Sequence, residues 1–127
     1  MPKKFIPGKI IIPKNTSVYP YEFVVATALS MTGHDVEFIP VRRIPTPDIL
    51  FMNLEWEIKS PTGSSSRTIE NNMRNALKQS RNIIVDLSRI KYPEEKCLRE
   101  IRRQTKVIRG INKVIVITRA QKMIKIC

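Results

Sequence analysis

The stretch "NIIVDL", Asn82 to Leu87, is apolar at nearly every position. A strand with one wet face alternates apolar and polar side chains, so a continuous apolar run reads as a strand covered on both faces. That demand narrows the folds open to the chain, because other elements must pack on each side of the sheet that holds this strand. With 127 residues there is material for one compact domain with a real core.

The flanking patterns supply the cover. Residues 1–18 read as an N-terminal arm with a short strand, "KIII", and residues 19–118 as the core of a single domain spanning 1–127. Pro20 suits a first helical turn, and "YEFVVATALSMT" follows with Phe23, Val24, Ala28 and Met31 near helical spacing until Gly33 stops it. "DVEFI" alternates as a strand, and "RRIPTP" is a connector too proline-rich for a sheet interior. "DILFM" and "LEWEIK" read as two strands joined by a tight turn at Met52-Asn53. A polar loop, "SPTGSSSR", leads to a helix over Thr68–Ser80 with Ile69, Met73, Ala76 and Leu77 on one face. After the buried strand, Pro93 opens a third helix with Leu98, Ile101 and Ile108 inward and Arg99, Arg102, Arg103 and Lys106 outward. "NKVIVIT" and "KMIKI" close the chain as a hairpin through "RAQ". The expected fold is α/β: one central mixed sheet flanked by helices, in the order αβββαβ plus a C-terminal helix and strands.

Several function classes are disfavoured by composition. No run approaches the ~20 apolar residues of a membrane span, and the opening "MPKKFIPGKIIIPKN" does not read as a signal peptide. Cys97 and Cys127 are the only cysteines, too few for a disulfide framework or a zinc cluster. His34 is the only histidine and falls where a helix ends and a strand begins, so it reads as a surface turn residue rather than a general base. Charge is the strongest bulk signal: 23 Lys and Arg against 11 Asp and Glu, net +12. Residues 1–66 hold 7 basic and 6 acidic residues, net +1, whereas residues 67–127 hold 16 and 5, net +11. A polyanion would be drawn to the second half, and nucleic acid is the commonest such partner. No helix couples a basic face to a large aromatic-rich apolar one, which argues against a membrane surface.

The chemistry concentrates in the hairpin. Along "LEWEIK", Leu54, Trp56 and Ile58 point one way and Glu55, Glu57 and Lys59 the other. A turn at Met52-Asn53 pairs Phe51 with Leu54, Leu50 with Glu55 and Ile49 with Trp56, which sets Asp48 against Glu57 with Lys59 one step along. Opposed carboxylates repel and destabilise a sheet unless something offsets the charge. Two readings follow: a solvated face of mixed charges, or an oxygen-ligand site for a divalent cation with an ammonium beside it. The second suits phosphodiester hydrolysis.

Asp48, Glu57, Ile58 and Lys59, with Pro47 in front, resemble the signature of the PD-(D/E)XK nuclease superfamily, and the element order resembles its restriction-endonuclease-like core. More narrowly, residues 56–87, "WEIKSPTGSSSRTIENNMRNALKQSRNIIVDL", look like the C-terminal tRNA nuclease domain of contact-dependent growth inhibition toxins. The resemblance covers roughly residues 20–118. It implies that Asp48 and Glu57, assisted by the Ile58 carbonyl, hold a divalent ion, Mg²⁺ or Mn²⁺ with Zn²⁺ as the other candidate. Lys59 becomes the catalytic lysine, and Glu22 either an additional catalytic acid or a plain helix surface charge. Ser60, Lys78, Gln79 and Arg81 are the expected substrate contacts, while the loop serines 64–66 read equally as a flexible linker. Glu55 has no role in the resemblance. It further implies tRNA as substrate, a cognate immunity protein expected to be acidic, and action in the cytoplasm of a recipient bacterial cell after delivery within a larger secreted protein. Two alternatives stand beside it: the same chemistry on DNA, or a non-catalytic basic module that docks on RNA.

Overall fold

The computed structural model describes residues 5–42 and 44–127. The first four residues of the expected arm, and Arg43 of the expected connector, lie outside the described residues. Ten elements follow in order: β1 (Ile10–Ile11), α1 (Pro20–Ser30), β2 (Val36–Phe38), β3 (Ile49–Phe51), β4 (Leu54–Lys59), α2 (Ser66–Ala76), β5 (Asn82–Asp86), α3 (Glu94–Val107), β6 (Lys113–Ile117) and β7 (Met123–Lys125).

All seven strands join one mixed sheet in which spatial order equals chain order, β1 through β7. The β1–β2, β4–β5 and β5–β6 pairs are parallel, and the helix joining each pair provides the crossover. The β2–β3, β3–β4 and β6–β7 pairs are antiparallel. The arm is anchored as well as paired: Gly8 lies so close to the His34 carbonyl that an added Cβ would collide with it.

The two faces of the sheet carry separate cores. On one, Val25, Ala26 and Leu29 of α1 pack on Ile49, Phe51, Trp56, Ile58, Ile84 and Ile115. On the other, Ile69 and Met73 of α2 and Cys97 and Ile101 of α3 pack on Ile83, Val85, Val114 and Val116. β5 therefore contributes alternate residues to both cores, as its continuous apolar run requires.

Two expected helix faces are corrected. In α1, Ala28 is buried as expected, but Phe23 and Met31 are exposed and Val24 half-buried, and the interior side is completed by Glu22, Val25, Ala26 and Leu29. The helix is apolar on nearly every side, so the 3.6-residue period gave no contrast. In α3, Cys97 and Gln104 join Ile101 and Ile108 inside, whereas Leu98 is half-buried. Helix α2 starts two residues earlier than expected and ends at Ala76; Lys78 and Gln79 follow in a closing turn bonded back to Asn75 and Ala76. Among the described residues, no helix is long and apolar enough to cross a membrane.

The β3–β4 register is Ile49–Trp56, Leu50–Glu55 and Phe51–Leu54, as the turn at Met52-Asn53 dictates. Both turn residues have positive φ, 52° and 63°, the geometry of a two-residue type I′ connection in which Asn-Gly is preferred. Methionine is strained there. Replacing Met52-Asn53 by Asn-Gly is expected to raise stability by about 1 kcal/mol, read from the urea midpoint at unchanged slope.

Candidate active site

Beyond Ile49 the β3–β4 ladder changes character. The Asp48 N–H donates to the Trp56 carbonyl at 2.9 Å, so Asp48 and Ile49 both face Trp56, a bulge-like arrangement that differs from the expected Asp48–Glu57 pair. The next amide of β4 is satisfied by a side chain: Ile58 N–H donates to Asp48 Oδ2 at 2.7 Å. Asp48 thus takes the place of a missing strand carbonyl, which fixes its carboxylate at the rim of the sheet where β3 stops.

Three acids meet at that rim. Asp48 is within side-chain hydrogen-bonding reach of Glu57 from β4 and of Glu22 from α1. Glu22 is buried, contrary to a surface-charge reading, and its Oε1 accepts the Tyr19 N–H at 2.9 Å at the start of α1. Glu57 is also buried, and its Oε2 lies 3.3 Å from Lys59 Nζ, two residues along on the same face. Burial drives the electrostatics. It pushes Glu22 from 4.5 up to about 7, helped by Asp48. It pushes Asp48 from 3.8 up to about 7, helped by the neighbouring Glu57, against the pull of the Ile58 amide. Glu57 is raised by burial too, although Lys59 holds it down in part.

The expected substrate contacts divide. The Ser60 hydroxyl donates to Asp86 Oδ2 at 2.7 Å and accepts from Arg89 Nε at 2.9 Å, so it is committed to the protein interior. Arg81 is turned away from the acids, its Nε on the Gly110 carbonyl at 2.8 Å. Lys78 is exposed beyond the end of α2, and Gln79 lines a cleft with Glu55 and Pro47. Of the loop serines, Ser65 stands at the N-cap position of α2. The basic residues Arg99, Arg102, Arg103 and Lys106 are exposed along α3.

Three residues that sequence reasoning missed are tied to the acids' neighbours: Tyr21 adjoins Glu22, and Asp86 and Arg89 bond to Ser60, next to Lys59. Arg89 stacks over the Tyr21 ring at 4.2 Å while its Nη2 donates to the Ser60 carbonyl at 2.8 Å. Tyr21 is raised by burial and then by Glu22 and Asp48, which places its hydroxyl in their field. Asp86, fully buried, accepts from the Ser60 and Ser88 hydroxyls and from the Ser88 N–H. The one available signal was an aspartate ending an otherwise apolar strand, because the C-terminal ends of parallel strands are where open α/β sheets place their sites.

Oxygen ligands are at hand for a hard cation. Glu57 Oε1 is buried without a hydrogen-bond partner, an orphan that a cation would satisfy. Among the described residues, no three His, Cys, Asp or Glu side chains form a ready metal cage. Two carboxylates with waters and substrate phosphates are nonetheless a usual setting for Mg²⁺, so the residues fit that ion better than one needing a full protein cage.

Comparison with known proteins identifies the fold and the family. A chain of the "CdiA-CT/CdiI toxin and immunity complex" from Burkholderia pseudomallei has the same fold, with a TM-score of 0.68 and 24% identity over 93% of this chain and 98% of that one. No curated protein sequence matches. The family model of the contact-dependent growth inhibition CdiA C-terminal domain matches residues 45–123, which include Asp48, Glu57, Lys59 and the whole of strands β3 to β6. That match spans well over half of the sequence, and the chain therefore belongs to the family of contact-dependent growth inhibition CdiA C-terminal domains.

Proposed function

We propose that this domain is a growth-inhibition toxin that acts as a divalent-metal-dependent endonuclease on tRNA, with a PD-(D/E)XK-type core. The observation that carries the reading is the meeting of Asp48 and Glu57 at the sheet rim, one with an orphaned buried oxygen, beside the Lys59 ammonium.

Asp48 and Glu57, with the Ile58 carbonyl, would hold Mg²⁺ or Mn²⁺. When bound, such an ion offsets the carboxylate repulsion and neutralises charge on the scissile phosphate. Lys59 would orient the attacking water and stabilise the charge that develops on phosphate oxygens. Glu22 backs Asp48 and ties the rim to the start of α1. Arg89, fixed by Ser60 and Tyr21, braces the start of α1 against the end of β4. The basic residues of α3 would draw the RNA backbone by long-range attraction.

A toxin must be restrained in the cell that makes it, and the structural relative is a toxin–immunity complex. A cognate immunity protein, acidic where it faces the basic half, follows from the same reading. So does action in the cytoplasm of a recipient cell after delivery.

Purified protein incubated with total tRNA, plasmid and single-stranded DNA tests the proposal. The expected result is discrete tRNA cleavage with Mg²⁺ or Mn²⁺ and none in chelator. Full activity in chelator overturns the metal mechanism. Plasmid cut in preference to tRNA assigns the chemistry to DNA.

A further inference from the structure

We propose that Tyr19 and Tyr21, at the start of α1, form a stacking platform for an unpaired base of the RNA strand beside the phosphate that is cut. The proposal rests on the nuclease reading and names the kind of RNA that the same site takes, a strand whose bases are free of pairing. The two rings have centroids 5.7 Å apart and planes within 4° of parallel, the offset arrangement that aromatic pairs prefer. Tyr19 stays 64% exposed, so much of its surface is left to a further layer.

Local folding does not call for a tyrosine at this position. Tyr19 is the N-cap of α1, where Ser, Thr, Asp or Asn is preferred, and its side chain makes no capping bond. Pro20 follows and holds Tyr19 in extended backbone, with φ −72° and ψ 149°, which limits the directions its ring can take. The stack is also braced. Arg89 lies over the Tyr21 ring at 4.2 Å, and its guanidinium donates to the Ser60 hydroxyl and carbonyl at 2.9 and 2.8 Å. That ties the rings to the end of β4, one residue beyond Lys59. The Tyr19 N–H donates to Glu22 Oε1 at 2.9 Å, and Glu22 is within hydrogen-bonding reach of Asp48. Two separate connections therefore join the rings to the residues proposed to act on phosphate.

The chemistry of stacking selects an unpaired base. Every nucleobase has a π-face, and a tyrosine ring takes it without reading a hydrogen-bonding edge. Inside an A-form helix that face is covered by the neighbouring bases, whereas loops, bulges and ends have bases that can turn outward onto an aromatic side chain. The basic residues of α3 attract any RNA; a base on Tyr19 would hold an unpaired segment in place at the acids.

The test reads binding in chelator, apart from cleavage, by fluorescence anisotropy. The probe is a labelled single-stranded RNA of about 12 nucleotides, free or annealed to its complement. Tyr19→Ala is expected to weaken binding of the single strand about 5- to 100-fold and to leave the duplex within about twofold. The loss should be equal at about 50 mM and about 200 mM salt, because a ring releases no phosphate counterions. Tyr19→Leu, which keeps apolar bulk without a ring, should lose as much, and Tyr19→Trp should restore binding. The bond to Glu22 runs through the Tyr19 backbone, so these variants should melt near wild type. Unchanged binding in Tyr19→Ala, equal losses for single strand and duplex, or wild-type binding by Tyr19→Leu overturns the platform. With Mg²⁺, cuts in total tRNA should fall in unpaired segments, and Tyr19→Ala should lower kcat/KM by a similar factor. Cleavage indifferent to Tyr19 removes the platform and leaves the nuclease reading standing. Ring-dependent binding of single strands by a protein that cuts nothing does the reverse.

Discussion

Glu57→Gln is expected to abolish cleavage while making the metal-free protein harder to unfold. The loss of activity should be on the order of 10²–10³-fold or more, because the variant removes charge aimed at a site of developing charge. The gain in stability has a separate origin. Glu57 is raised by burial more than Lys59 lowers it, so the folded state disfavours its ionised form, and a neutral isostere relieves that cost. The same reasoning gives a pH dependence. Glu22 and Asp48 are raised from 4.5 and 3.8 to about 7. Between roughly pH 4 and pH 7 the folded protein holds protons that the unfolded chain has released, so stability in chelator falls as pH rises through that window. A divalent ion, which binds the deprotonated acids, should flatten the decline. Thermal melts of wild type and Glu57→Gln at pH 5 and pH 8, with and without Mg²⁺, measure both effects. A variant that is inactive but less stable at pH 8 in chelator would show that the acids are held for structure.

Asp86→Ala is the substitution expected to damage the fold most among the polar residues. Asp86 is fully buried and accepts three hydrogen bonds, from the Ser60 and Ser88 hydroxyls at 2.7 Å and the Ser88 N–H at 3.2 Å. Its loss leaves those donors without an acceptor and loosens Ser60, which also receives Arg89. A cost of about 2–4 kcal/mol is expected, seen as a lower urea midpoint. Asp86→Asn keeps one acceptor oxygen and should lose less than half as much. If Asp86→Ala melts like wild type, the network does not hold the end of β4.

How far the sequence reveals this protein depends on how local the determinant is. The hairpin register was legible because a two-residue turn and an alternating pattern admit one pairing that buries Trp56 and Ile49 together. The last step was not, since Asp48 bonds through its side chain to Ile58 instead of continuing the ladder. The inward side of α1 was misread because apolar residues surround that helix, and the acid was the one informative residue on its buried side. Arg89 and Tyr21 stack across 68 positions of sequence, a distance over which no periodicity speaks. Ser60 read as a substrate contact because it follows Lys59, yet the partner that claims its hydroxyl is 26 residues away.

The strand order has a consequence for assembly. Because every strand lies beside its immediate predecessor in the chain, no segment must wait for a later one before finding its place. Ring closures stay short, and the entropy lost at each is correspondingly small. A polypeptide that emerges from its N-terminus, whether from a ribosome or through a narrow passage, can lay this sheet down in sequence.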